Sequence, residues 1–493
     1  MKKTLSITLL LLSFQIIRAQ QSYSLEQCRA LAMENNKRIS MSQERVTAAE
    51  ELRKAAFTQY LPRISANGAW LWNEKSISLL HEDALLPVGT KMPDGSFGFR
   101  QDQIKNQWMQ VSPGVYAPLD ASGKPFDPKV NPEKIIWKDY ALLPKEAVEM
   151  DIHNLFVAGV GLSQPLFLGG KIRELNRIAK SSEKIARSMH EKEIEDILTE
   201  VDEAYWRVVS VKGKCAIAQE YLNLLTLLEK NIHEMVKEGL LSKGDLLKVG
   251  VKRSEAELIN TKALNGLTLS LMSLSQICGL DPNSITSVVE EDISANPNLK
   301  EGLSIEDVYS NRVELKALGE LTHIAESNLK IMKSRYMPNV LLTANYLITN
   351  PNAYNGIENK FGGMFNAGLA VNIPIFHFGD KNHTLRAAKS QLRVSELKTE
   401  EAKELIKLQL KQSEYKITEA VKRMETSQYN LERATENLRF ATEAFKEGVV
   451  PVSDVLEAQV SWVAAKSELT DSKIEYNLCI LYLNKAQGKD ISK

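Results

Sequence analysis

Asp454 and Glu457 lie three residues apart in Asp454-Val455-Leu456-Glu457. On a helix this spacing puts both carboxylates on one face. They can form a field that attracts cations, or a solvated acidic face near a helix N-terminus. No catalytic set accompanies them. The seven histidines are scattered, and none falls in a His-Glu-x-x-His spacing. Gly169-Gly170-Lys171 lacks the earlier glycine and the following Ser/Thr of a phosphate loop. Cys28, Cys215, Cys278 and Cys479 are far apart and show no metal-ligand spacing. An oxidising compartment would permit disulfides, but buried thiols at helix seams are expected. No catalytic residue, cofactor site or metal site is expected, and the chain does not read as an enzyme.

Composition narrows the rest. The chain has 493 residues, 62 Lys+Arg and 62 Asp+Glu, so its formal net charge is zero. That removes the electrostatic case for a nucleic-acid binder. A hydrophobic fraction of 43% and a charged fraction of 25% are ordinary globular values. Residues 1–19 read as a signal peptide: a basic start at Lys2 and Lys3, an apolar stretch from Leu5 to Ile17, then Ala19. Without them 59 basic residues face 62 acidic ones, a net charge of −3. No later apolar run approaches the ~20 residues of a spanning helix. Leu25-Glu26-Gln27 before Cys28 lacks the small residues that precede a lipidated cysteine.

The chain repeats itself. Gln164-Pro165-Leu166-Phe167 returns as Ile373-Pro374-Ile375-Phe376, Lys237-Glu238-Gly239 as Lys446-Glu447-Gly448, and Asp245-Leu246-Leu247 as Asp454-Val455-Leu456. Each pair is separated by 209 residues, so 165–281 and 374–490 align without a gap. Tyr60-Leu61-Pro62 and Tyr336-Met337-Pro338 also match, as do Ser24-Leu25-Glu26 and Ser304-Ile305-Glu306. Between the proline landmarks the first copy is 67 residues longer, which places an insertion within 73–150. It holds Trp108, Trp137 and Tyr140.

The elements follow from two periods. Residues 171–237 contain no proline. The apolar positions Ile194, Ile197, Val201, Ala204, Val208, Val211, Cys215, Ala218, Leu222 and Leu225 alternate at three and four, a coiled-coil seam. A helix over 171–237 would be roughly 100 Å long, and 380–446 repeats it. The second seam carries Ser413, Ala420 and Ser427, which suit close helix approach or a partly wet face. Returning helices are expected over 244–278 and 453–487, and shorter opening helices over 24–58 and 304–335. Period two governs 338–349 and 364–375, where Val340, Leu342, Ala344, Tyr346 and Ile348 oppose a set rich in Asn and Thr. Ile64, Ala66, Trp70 and Trp72, then Phe156, Ala158, Val160 and Leu162, do the same in the first copy. A lipid-facing barrel and a soluble sandwich both give this alternation. The signal peptide and the long helices favour the barrel. Four strands cannot close one, so several copies must contribute.

This layout resembles the TolC family of outer-membrane efflux channels. The resemblance spans about 24–490 and rests on the duplicated strand exits, 164–170 and 373–376, and on the paired turns 238–246 and 447–456. It implies a mixed α and β membrane protein: a homotrimer with a TolC-like 12-stranded outer-membrane β-barrel, four strands per chain, continued by a long periplasmic α-helical coiled-coil barrel. The divisions are then a signal peptide 1–19, an opening helix 20–60, a first strand pair 61–168 with extracellular insertion 73–150, and a first hairpin 169–281. A linker 282–303, a second opening helix 304–336, a second strand pair 337–376 and a second hairpin 377–490 complete the chain.

The resemblance also implies roles. Gly239, Leu240, Leu241 and Ser242, with Gly448, Val449, Pro451 and Val452, correspond to the tips that dock a periplasmic adaptor of an inner-membrane pump of RND or ABC type. Asp454 and Glu457 match the acidic ring of the tunnel mouth, with Asp245 equivalent in the first repeat. The family's polar gate residues are replaced here by Phe445 and Val450, which cannot make those links. Trp70, Trp72 and Tyr346 read as membrane-interface aromatics beside lipid. The implied function is a passive exit duct. A non-transporting periplasmic coiled-coil scaffold is the alternative.

Overall fold

A computed structural model describes residues 22–87, 90–91, 93–95, 97–98, 108–119, 122–125, 127, 140–289, 303–352, 354 and 358–489. The signal peptide 1–19, Trp137, Asp490 and most of the linker 282–303 lie outside these residues, and the Tyr140 side chain is likewise not described. The chain divides into two units, 1–59 with 169–337 and 374–493, and 60–168 with 338–373.

The first unit is helical. Its elements are α1 (Leu25–Asn35), α2 (Lys37–Phe57), α3 (Lys171–Lys237), α4 (Lys243–Ile277), α5 (Ile305–Asn311), α6 (Val313–Ser334), α7 (Asp380–Lys446) and α8 (Val452–Ala486). The helices α3 and α7 each have 67 residues, and α4 and α8 each have 35. Each boundary of the second hairpin lies 209 residues after its counterpart. The seam on α3 is buried at Ile197, Val201, Ala204, Val208 and Leu225. Ser413 and Ser427 on α7 are buried as well, so the small residues of the second seam serve close approach.

The opening helices differ from the expected single runs. Each is broken once, at Asn36 (ψ 125°) and at Arg312 (ψ 118°). The breaks have a shared cause. Asn36 Nδ2 donates to the Ile277 carbonyl at 2.7 Å, and Arg312 Nη1 donates to the Lys485 and Ala486 carbonyls at 3.2 and 3.3 Å. Each break turns a side chain onto the orphaned carbonyl end of a returning helix. A two-residue parallel pairing of Ser22–Tyr23 with Ser287–Val288 joins the same region of the first repeat.

The second unit carries a four-stranded sheet of β1 (Arg63–Trp72), β2 (Asn154–Leu168), β3 (Asn339–Asn350) and β4 (Gly362–Asn372), in the order β4-β3-β2-β1 with every neighbour antiparallel. Register puts Ile64, Leu162, Ala344 and Ala367 in one cross-strand row, and Ala66, Val160, Tyr346 and Phe365 in another. The alternate rows are Ser65, Gly161, Asn345 and Asn366, then Arg63, Ser163, Thr343 and Gly368. Successive side chains point to opposite faces, so one face is apolar and the other small and polar. Asn345 Nδ2 donates to Asn366 Oδ1 at 3.2 Å across the polar face. One strand end departs from the sequence reading: the last strand stops at Asn372 rather than 375. The strand β2 continues past Pro165 through a bulge to Leu168. Proline cannot donate to a ladder, and a bulge accommodates it.

Insertion 73–150 begins as a paired stem. Ile77–Ser78 pairs antiparallel with Glu149–Met150, and Ala84–Pro87 with Tyr140–Leu143. A further hairpin joins Trp108–Ser112 to Val115–Pro118.

Candidate functional site

The two hairpin tips are built alike. At the end of α3, Gly239 N donates to the Val236 carbonyl at 3.1 Å and Leu240 N to the Met235 carbonyl at 2.9 Å. At the end of α7, Gly448 N donates to Phe445 and Val449 N to Ala444, at 3.0 and 2.9 Å. Both are left-handed helix stops, with φ of 76° at Gly239 and 74° at Gly448. Glycine takes this conformation without the Cβ penalty.

The starts of the returning helices differ. Ser242 caps α4: its hydroxyl accepts from Asp245 N at 3.2 Å and donates to Asp245 Oδ2 at 2.7 Å. Pro451 caps α8 without a side-chain bond. Between the tips, Leu225, Leu228 and Ile232 of α3, Val249 of α4, Phe445 of α7 and Val452, Val455 and Leu456 of α8 form one apolar cluster. Leu241 and Val450 pack against it. Leu240 and Val449 remain 70% and 74% exposed. The eight tip residues singled out from sequence thus separate. Val452 is buried, because the first turn of α8 directs it into the cluster. Leu241 is half-covered, while Gly239, Leu240, Ser242, Gly448, Val449 and Pro451 stay on the surface. Phe445 and Val450 are packing residues of this cluster.

The acidic residues also separate. The Ser242 hydroxyl, then the Lys248 ammonium 3.1 Å away, hold the Asp245 carboxyl below its ordinary range. Asp454 and Glu457 are both exposed on α8, and Asp454 accepts from the Ser453 hydroxyl at 3.1 Å. Glu457 lines a shallow groove between α4 and α8 with Lys248, Val251, Lys252, Leu456 and Val460.

On the sheet, Trp70 sits opposite Phe156 and Trp72 opposite Asn154, at one strand end. The Trp70 and Phe156 rings are 6.5 Å apart, and Phe361 stands 6.0 Å beyond Phe156. Both tryptophans are exposed, at 60% and 65%. Tyr346 is not among them. It pairs with Val160, four residues from Phe156, about 13 Å along the strand. Its ring leans to the side of Gly363, where a Cβ would stand 2.3 Å from the hydroxyl. Phe156 and Phe361 were not singled out from sequence. Phe156 was legible as an outward position, whereas Phe361 belongs to the β3–β4 loop and has no periodic signal.

Comparison with known proteins agrees with this architecture. The family model described as outer membrane efflux protein matches residues 305–478. Outer membrane protein TolC of Vibrio cholerae is 19% identical over 339 residues, covering 68% of this chain and 77% of that protein. The crystal structure of the outer membrane protein VceC from Vibrio cholerae superposes with a TM-score of 0.68 at 14% identity, over 95% of this chain and 96% of that one. The Campylobacter jejuni CmeC outer membrane channel gives 0.67 at 16% identity, over 95% and 87%.

Proposed function

We propose that this chain, a member of the outer membrane efflux protein family, works as a homotrimer in a tripartite assembly. It is a bacterial outer-membrane efflux channel with a large periplasmic helical part. An inner-membrane pump of RND or ABC type loads it through a periplasmic adaptor, and the duct itself is passive and performs no chemistry.

One observation carries the reading. The four-stranded sheet has an apolar face, a small polar face, and outer edges of β1 and β4 that pair with no strand of the same chain among the described residues. A bilayer tolerates no open edge, because unpaired backbone groups find no water there. Pairing β1 of one copy with β4 of the next satisfies both edges, and three copies give 12 strands. Lipid then meets the face of Trp70, Phe365 and Leu369, and water meets that of Asn345 and Asn366.

The tips are the docking surface, with Leu240 and Val449 as its exposed apolar points. Gly239, Ser242, Gly448 and Pro451 frame them. Phe445 and Val450 give the second tip an apolar closure. In the trimer, Asp454 and Glu457 supply six carboxylates to the tunnel mouth, a ring attractive to cations.

Photo-crosslinkers at Leu240 and Val449 in living cells test this. Capture of an adaptor supports the docking role, and its class names the pump. Capture of copies of the same chain alone removes the tripartite reading.

A further inference from the structure

Two buried sulfurs meet where the first opening helix packs against the end of α4. Cys28 belongs to α1, and Cys278 is the residue that ends α4. Both are 0% exposed. Cys278 Sγ lies 3.5 Å from the Cys28 carbonyl oxygen, across 250 residues of sequence. The Cys28 side chain beside it holds the Cys278 thiol below its ordinary value. Burial pushes the other two thiols, Cys215 and Cys479, upward.

The surrounding backbone fixes this approach. Asn36 donates to the Ile277 carbonyl at 2.7 Å. Gly279, at φ 75°, lies so near the Asn35 backbone that a Cβ would stand 2.5 Å from its carbonyl. The second repeat makes the same joint without sulfur. Val308 and Gln487 stand at the corresponding positions, and both are buried. Packing therefore does not require a cysteine on either side.

We propose that Cys28 and Cys278 form a disulfide in the exported protein. The proposal rests on the outer-membrane location, which takes the chain through a compartment where disulfides form. Two S–H bonds break and one S–S bond forms. The two protons and two electrons pass to the disulfide of a thiol–disulfide oxidant of that compartment, through a mixed disulfide, leaving the oxidant as a dithiol. Because both sulfurs are sealed in the finished fold, the exchange precedes the packing of α1. The bond closes a long loop and removes freedom from the unfolded chain.

The test uses the full-length wild-type protein recovered from the outer-membrane fraction. The sample is acid-quenched, denatured and treated with a mass-adding maleimide before and after reduction. The expected result is two reactive thiols before reduction and four after. A non-reduced digest should contain one linked peptide pair, holding Cys28 and Cys278. In Cys28→Ser, three thiols should react without reduction. Four reactive thiols in the membrane-inserted wild-type protein overturn the proposal, as does a linkage through Cys215 or Cys479. Either result leaves the duct reading intact, since the protein is then already in the outer membrane.

Discussion

Lys248 and Glu457 occupy equivalent positions, 209 residues apart on the two returning helices, with opposite charge. Each stands three residues after an aspartate. In the first repeat the lysine neutralises Asp245 at 3.1 Å. In the second the glutamate doubles the charge of Asp454. The repeat thus makes one balanced tip and one acidic tip from the same backbone.

Ion selectivity should follow that asymmetry. In planar bilayers under a salt gradient, Asp454→Asn with Glu457→Gln should shift the reversal potential towards lower cation preference. Glu457→Lys alone should shift it by a similar amount, because reversing one charge changes the total as much as deleting two. Asp245→Asn should change it little. An equal effect from all three variants would remove the acidic ring from the second tip.

The Ser242–Asp245 cap should respond to pH. Its carboxyl is depressed by the Ser242 hydroxyl and by Lys248. A depressed carboxyl contributes stability above its unfolded value and loses it as pH falls through the lowered one. Hydrogen exchange in the first turn of α4 should therefore stay slow until pH drops below the usual carboxylate range. Ser242→Ala should speed that exchange roughly fivefold at neutral pH, the scale of a lost N-cap. It should also move the acid transition upward.

At the broken opening helix, Asn36 does two things. Its oxygen accepts from Arg38 N at 2.8 Å and its amide donates to Ile277. Asn36→Asp keeps the first and loses the second. Asn36→Ala loses both and should cost about 1–2 kcal/mol. Thermal unfolding of the detergent-solubilised protein should rank wild type above Asp and Asp above Ala. Equal losses would assign the whole effect to the bond to the Ile277 carbonyl.

Two glycines with similar φ should behave differently. Gly239→Ala meets nothing within 4 Å and should cost about 1–2 kcal/mol from the left-handed backbone alone. Gly169→Ala, at φ 60°, would bring a Cβ within 2.8 Å of the Ser334 carbonyl and 2.7 Å of Met337 Cβ. It should abolish accumulation of the channel in the membrane, while Gly239→Ala accumulates normally.

The long-range plan was legible because two periods and a duplication are written in the residues. The α3 and α7 limits follow from proline-free runs ended by Gly239 and Gly448. The sheet faces follow from the alternation in β3, which only Leu341 and Leu347 interrupt. The joints were not legible. Asn36 carries only the local mark of an N-cap asparagine and Arg312 none, and their long-range partners are carbonyls at Ile277, Lys485 and Ala486, far along the chain. The role of Val452 was hidden for a related reason. Proximity in sequence to an exposed turn says nothing of which way the first turn of a helix faces.

The matched lengths of α3 and α7 act as a shared ruler. Deleting one residue from a helix rotates everything beyond it by about 100° and shortens it by about 1.5 Å. The buried seam would then turn outward, and one tip would stand short of its twin. A seven-residue deletion in one helix keeps the seam but leaves the tips about 10 Å out of step. Only the same deletion in both, matched in α4 and α8, keeps seam and height together. Such a chain can change its reach only in paired, quantised steps.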